Sequence, residues 1–117
     1  MIRKPEHCLT EERKGMCGGS GVVKVRNFVS NDELLGNGRL FAETTLDPGC
    51  SVGVHEHVGD SEIYYILEGE AVYTDDNEEV TVKAGDIAIC RPNHSHGIAN
   101  KSDHPCKFIA LILFERD

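Results

Sequence analysis

The chain is predicted to be all-β, an antiparallel sandwich or barrel, and three observations carry that prediction. Short segments rich in β-branched and aromatic residues follow one another from Val22 to Phe114. Each is closed by Gly, Pro, Asn or Asp of the kind that builds tight turns. Only Asn31–Leu35 has helical character, and it is too short for more than a turn.

In chain order, residues 1–21 are charged and then glycine-rich, so they are expected to form an N-terminal arm that is irregular by itself and orders by packing on something else. The β-domain is expected over residues 22–117. Its strands are predicted at Val22–Val29, Leu40–Leu46, Ser51–His55, Glu62–Glu68, Ala71–Thr74, Glu79–Lys83, Asp86–Cys90, His96–Asn100 and Cys106–Phe114. Turns at Asp47-Pro48-Gly49, Gly59-Asp60, Asp75-Asp76-Asn77, Ala84-Gly85 and Pro92-Asn93 separate them. Ile63–Leu67 and Phe108–Phe114 are apolar at every position, so both faces of these strands are expected to be covered. One face packs inside; the other calls for a twofold-related copy or an exchanged N-terminal arm, which predicts a homodimer.

The 117 residues carry 12 Lys+Arg and 20 Asp+Glu, a formal charge of −8, with 39% hydrophobic residues. That acidity and the lack of long basic runs argue against nucleic acid as a partner, because phosphate neutralisation drives such binding. The longest apolar run, Phe108 to Phe114, is far short of the roughly 20 residues of a membrane-spanning helix, and residues 1–14 hold no apolar signal core. No membrane partner and a cytoplasmic location are expected. Cys8, Cys17, Cys50, Cys90 and Cys106 are odd in number, widely spaced and without a CxxC pair, so no disulfide framework is expected. Cys50 and Cys106 read as buried small hydrophobes and Cys17 as the exposed thiol.

Four of the six histidines fall in two His-x-His pairs, His55/His57 and His94/His96. In a strand, residues i and i+2 share a face, so each pair sets two imidazoles side by side. Glu62 opens the next strand after the Val58–Ser61 loop, which is long enough to bring its carboxylate back beside the rings. Imidazole with carboxylate suits Fe, Mn, Ni, Cu or Zn as divalent ions. Each pair taken alone also fits a solvated strand; the chemistry of the set points to a site for one divalent transition metal per chain.

Gly49, His55, His57, Glu62 and Gly69 are spaced as in the first cupin signature, which this sequence resembles at every fixed position. Gly85, His96 and Asn100 keep the distances of the second. There the proline falls one position late, at Pro92 with Arg91 in its usual place, and Asn93 replaces a turn glycine; Asn tolerates the left-handed conformation, so the turn can form. The resemblance covers about Leu40 to Phe114. It implies a small single-domain cupin, a double-stranded β-helix (jelly-roll) barrel, with His55, His57, Glu62 and His96 as metal ligands and His94 as the fallback. Such a set leaves coordination positions open to water or substrate, unlike a closed structural zinc site.

Tyr64 shares the parity of Glu62 and is a candidate hydrogen-bond donor at the site, with core packing as the alternative. His94 is a candidate proton shuttle, and Arg39 or Arg91 a candidate holder of a substrate carboxylate. The expected function is that of a metalloenzyme acting on a small organic molecule by dioxygenase-, isomerase- or lyase-type chemistry. The alternative is a non-catalytic module that binds a metal or small molecule. Fold does not choose between them.

Overall fold

The computed structural model describes residues 1–116 and shows two antiparallel sheets. Strands β1 (Leu9–Lys14), β2 (Val22–Asn27), β3 (Gly38–Leu46), β10 (Cys106–Phe114), β5 (Asp60–Glu68) and β8 (Ile87–Cys90) form one sheet in the order β1-β2-β3-β10-β5-β8. Strands β4 (Ser51–Glu56), β9 (Ser95–Ala99), β6 (Glu70–Asp75) and β7 (Glu78–Lys83) form the second in the order β4-β9-β6-β7. This is the jelly-roll arrangement expected from the sequence, and each strand predicted there is present with ends shifted by a residue or two. Asn31–Leu35 contains a single 3₁₀ turn, Asp32–Leu34. Among the described residues no helix is long and apolar enough to cross a membrane.

The inward faces of the two sheets make the core. Along β10, buried Cys106, Phe108, Ala110 and Ile112 alternate with half-buried Lys107, Ile109 and Leu111. Val23, Val25, Ala42, Leu46 and Ile66 complete that wall, and Val52, Tyr73 and Ile98 face it from the second sheet. The turns hold positive φ where the sequence supplies Gly or Asn: Gly49 at 84° closes the β3–β4 turn, and Asn93 at 68° occupies the position read as a glycine substitute.

Two features bear on the sequence reading of the N-terminal arm and of the apolar strands. The N-terminal segment contains β1, paired antiparallel with β2 from Leu9↔Asn27 to Lys14↔Val22. Its run Glu11-Glu12-Arg13-Lys14 is charged, and charge is what protects a sheet edge from adventitious pairing. The strand extends the sheet at its margin and leaves the outer face bare. On that face Ile89, Ile63, Leu111 and Phe41 stand in one cross-strand row and Ile87, Tyr65 and Ile109 in the next. Ile87 and Ile89 are 63% and 58% exposed, so within one chain only the inner face of these apolar strands is covered.

All five cysteines are free; Cys90 and Cys106 are buried and Cys17 is exposed, as expected for Cys17 and Cys106. Cys50 is half-buried against the core. Burial pushes the Cys106 thiol up to about 11.

Asn100, from the second signature, is a structural tie. Its amide donates to the carbonyls of Leu46 (2.8 Å) and His104 (2.7 Å), and its oxygen accepts from the Ser102 amide (3.0 Å), closing the β9–β10 loop onto the end of β3. The side chain is 1% exposed. Asn100→Ala strips buried groups of their partners and is expected to lower stability by about 1–3 kcal/mol in urea unfolding.

Candidate metal centre

Register brings the motif residues together. In the β4–β9 ladder His55 stands opposite His96. His57 follows the end of β4, and its backbone amide donates to the His94 carbonyl at 3.0 Å. Glu62 lies two residues into β5, on the buried face that also carries Tyr64 and Ile66. Glycines seat the neighbouring backbone: a Cβ on Gly53 would meet the Cys17 carbonyl oxygen at 2.1 Å, so the Met16–Gly18 turn rests directly on β4.

The ring centroids of His55, His57 and His96 lie 4.7, 4.9 and 5.0 Å apart, so three imidazoles surround one point. Each ring is fixed through Nδ1. His55 Nδ1–H donates to the Gly53 carbonyl at 2.7 Å, and His57 Nδ1–H to Asp60 Oδ1 at 2.7 Å. His96 Nδ1 lies 2.9 Å from the Tyr73 hydroxyl. Asp60 is held in turn by Arg39, whose Nε–H donates to Oδ2 at 2.9 Å. With Nδ1 engaged, Nε2 of each ring is the atom left to ligate, which is the usual role of outer partners in metal sites.

The Nε2 atoms of His57 and His96 are 3.0 Å apart, and each lies close to Glu62 Oε1, at 3.2 and 3.0 Å. Two ring nitrogens both directed as lone pairs repel at that separation unless a proton or cation lies between them. Ligands at right angles, each ~2.1 Å from a common ion, stand ~3.0 Å apart, so this triangle fits a first-row divalent ion. Among the described residues, one ligand atom from each of His55, His57, Glu62 and His96 falls within 4.8 Å of all the others, so the group could hold a metal ion.

The electrostatics point the same way. Burial works against charge on Glu62, but hydrogen bonds with His57 and His96 outweigh it and bring the carboxyl down to about 2. The Glu62 contact raises the His57 pKa, against burial, with help from Asp60; burial lowers that of His55. Tyr64 stacks on the His96 ring (5.0 Å, 26°) and packs on Phe108; burial and the Glu62 charge raise its pKa well above the usual value, so its hydroxyl keeps its proton.

Other candidates fall elsewhere. His94 is exposed and its ring pairs with Asp76 at 2.8 Å, away from the cluster. Arg39 is committed to Asp60, and Arg91 is exposed in the turn after β8. Asp60 and Tyr73 were not singled out from the sequence. Asp60 reads there as turn chemistry, and the contact of Tyr73 depends on the β6–β9 pairing, which carries no local signal.

Comparison with known proteins agrees with this architecture. The Cupin_2 family model, a cupin domain, matches residues 42–112, and the chain belongs to that family. Among its relatives, a Thermotoga maritima protein named "Oxalate-binding protein" is 38% identical over 113 residues, 97% of this chain and 93% of that one. A crystal structure from the same organism, described as a predicted oxalate decarboxylase, superposes with TM-score 0.94 at 37% identity, covering 98% of this chain and 100% of the other. A RmlC-like cupin from Shewanella frigidimarina, 20% identical with TM-score 0.74 over 99% of this chain and 92% of its own, shares the fold.

The Asp60 carboxylate is the support whose removal leaves all four ligating side chains in place. Asp60→Asn is expected to weaken metal affinity by about 10–100-fold in competition titrations with a chromophoric chelator.

Proposed function

We propose that His55, His57, Glu62 and His96 hold one divalent transition metal, and that the open side of this centre takes a small chelating carboxylate of the oxalate class. The observation that carries the reading is the approach of His57 Nε2, His96 Nε2 and Glu62 Oε1 to 3.0–3.2 Å of one another, with both Nδ1 atoms already engaged. The oxalate names borne by the Thermotoga relatives support the ligand class. A bound ion would anchor the carboxylate oxygens and polarise the attached carbon. The chain's own residues orient the ligating rings and keep a protonated hydroxyl at Tyr64 beside the Glu62 carboxylate.

An enzyme of lyase type is the first reading, in which hydrogen oxalate yields formate and carbon dioxide. A non-catalytic binder is the second, favoured by the 38% identical relative being named an oxalate-binding protein. Protein loaded with Mn(II) is expected to bind oxalate in calorimetry, and His57→Ala to lose both metal, by elemental analysis, and oxalate binding. Formate release supports the enzyme; stoichiometric binding without turnover supports the binder.

The same proposal includes a homodimer through the bare face of the six-stranded sheet. A twofold contact places one patch against itself, and the aliphatic rows centred on Ile63, Ile87, Ile89 and Leu111 are self-complementary in chemistry. Light scattering at micromolar concentration is expected to give twice the 12.9 kDa chain mass, and Ile89→Lys to give the monomer with unchanged circular dichroism. A cytoplasmic setting fits five free cysteines, since a reducing compartment keeps thiols unpaired.

A further inference from the structure

We infer that Arg13, on the N-terminal strand, is the residue through which the site selects anions: its guanidinium meets the carboxylate ligand on the way to the metal centre. This rests on the proposed carboxylate reading and extends it to a side chain outside the cupin motifs.

The placement follows from register. Arg13 lies opposite Val23 and Glu11 opposite Val25, and both valines face the core, so these two charged side chains share the inward face of β1. Arg13 lines two separate spaces. One is a small internal cavity of about 20 Å³ bounded by Met16, Val52, Glu62, Tyr64 and Phe108, and so directly beside a ligating carboxylate. The other is a broad outer depression of about 960 Å³ bounded by Arg3, Glu11, Asn27 and Arg39. Among the described residues, Arg13 is the one side chain common to both linings, and it therefore stands between solvent and the metal-side cavity.

The inner space has room for about one water molecule, so a carboxylate enters only as flexible side chains at its outer end, Arg13 and Met16, move aside. Arg13 suits that task. It is 40% exposed, and its Nη2–H donates to Glu11 Oε2 at 3.0 Å, a contact between neighbours on one strand. Glu11 is independently held by the Asn27 amide at 3.0 Å, so it stays in place when the arginine turns inward. The guanidinium matches a carboxylate in a two-point fork. The three arginines at the depression are all ion-paired, Arg39 with Asp60, Arg3 with Glu33 and Arg13 with Glu11, and Arg13 is the one of them that also lines the space beside Glu62.

The test uses full-length protein loaded with Mn(II), with oxalate and, as a neutral metal ligand, imidazole as probes in calorimetry. Arg13→Gln is expected to keep stoichiometric metal and its affinity for imidazole while weakening oxalate by about 10–100-fold. Glu11→Gln frees the arginine and is expected to tighten oxalate several-fold. If wild-type metal-loaded protein ignores oxalate, the carboxylate reading itself fails. If wild type binds oxalate and Arg13→Gln binds it within about twofold, or Glu11→Gln weakens it as much as Arg13→Gln does, Arg13 has no part in selection and the inference is overturned.

Discussion

Three imidazoles and a carboxylate sit in the same small volume of a barrel whose core is otherwise mostly apolar, built largely of Val, Ile and Ala with Tyr64, Tyr73 and Phe108, and the arrangement around them is set by the need to make that tolerable. Buried polar groups persist only when they are partnered. Here every outward-pointing ring nitrogen has its own acceptor or hydroxyl, drawn from three different places: a carbonyl in β4, a carboxylate at the start of β5 and a phenol on β6. Among the described residues, no buried side-chain nitrogen or oxygen is left without a partner. The inward atoms are the exception in kind, because they are satisfied by one another at distances that fit an ion between them.

Sheet topology is what makes these supports available. β9 lies between β4 and β6, so His96 is flanked by His55 on one strand and by Tyr73 on the other. β5 belongs to the opposite sheet and presents Glu62 across the barrel. A register slip of one residue in β9 would turn His96 out of the barrel and bring Gly97 in its place. The loop tie through Asn100 and the left-handed turn at Asn93 fix the two ends of that strand, which explains why an asparagine that touches no ligand belongs to the second signature.

The barrel and the clustering of His55, His57, Glu62 and His96 were legible because they depend on local order: turn residues mark strand ends, and parity in a strand fixes which side chains share a face. Asn93 illustrates how far this extends, since tolerance of positive φ was the property read from its type and 68° is what the turn adopts. Contacts made only by pairing between distant segments were not legible. Asp60 was read as turn chemistry, while Tyr73 lay within the Ala71–Thr74 strand and Glu11–Lys14 within the N-terminal arm without a role, because nothing local states that β1 lies beside β2 or β6 beside β9. Ile63–Leu67 and Phe108–Phe114 were read as strands covered on both faces; within the single chain the inner face is buried, and apolar side chains such as Tyr65, Ile87 and Ile89 remain exposed on the outer one.

Charge makes the final constraint. The chain carries −8 overall, so an anionic ligand approaches against the mean field of the protein. At the centre, Glu62 would offset one of the two charges of a divalent ion, and the Arg39–Asp60 pair is neutral as a unit. On the proposed reading a dianion therefore meets only one unit of excess positive charge from the metal and its ligating carboxylate. A further cation is what such a site lacks, and Arg13 of the edge strand, which lines the space beside Glu62, is the one inferred to supply it. The N-terminal segment thereby gains a reason to be ordered: it closes the sheet margin with charge and brings one of those charges to the mouth of the barrel.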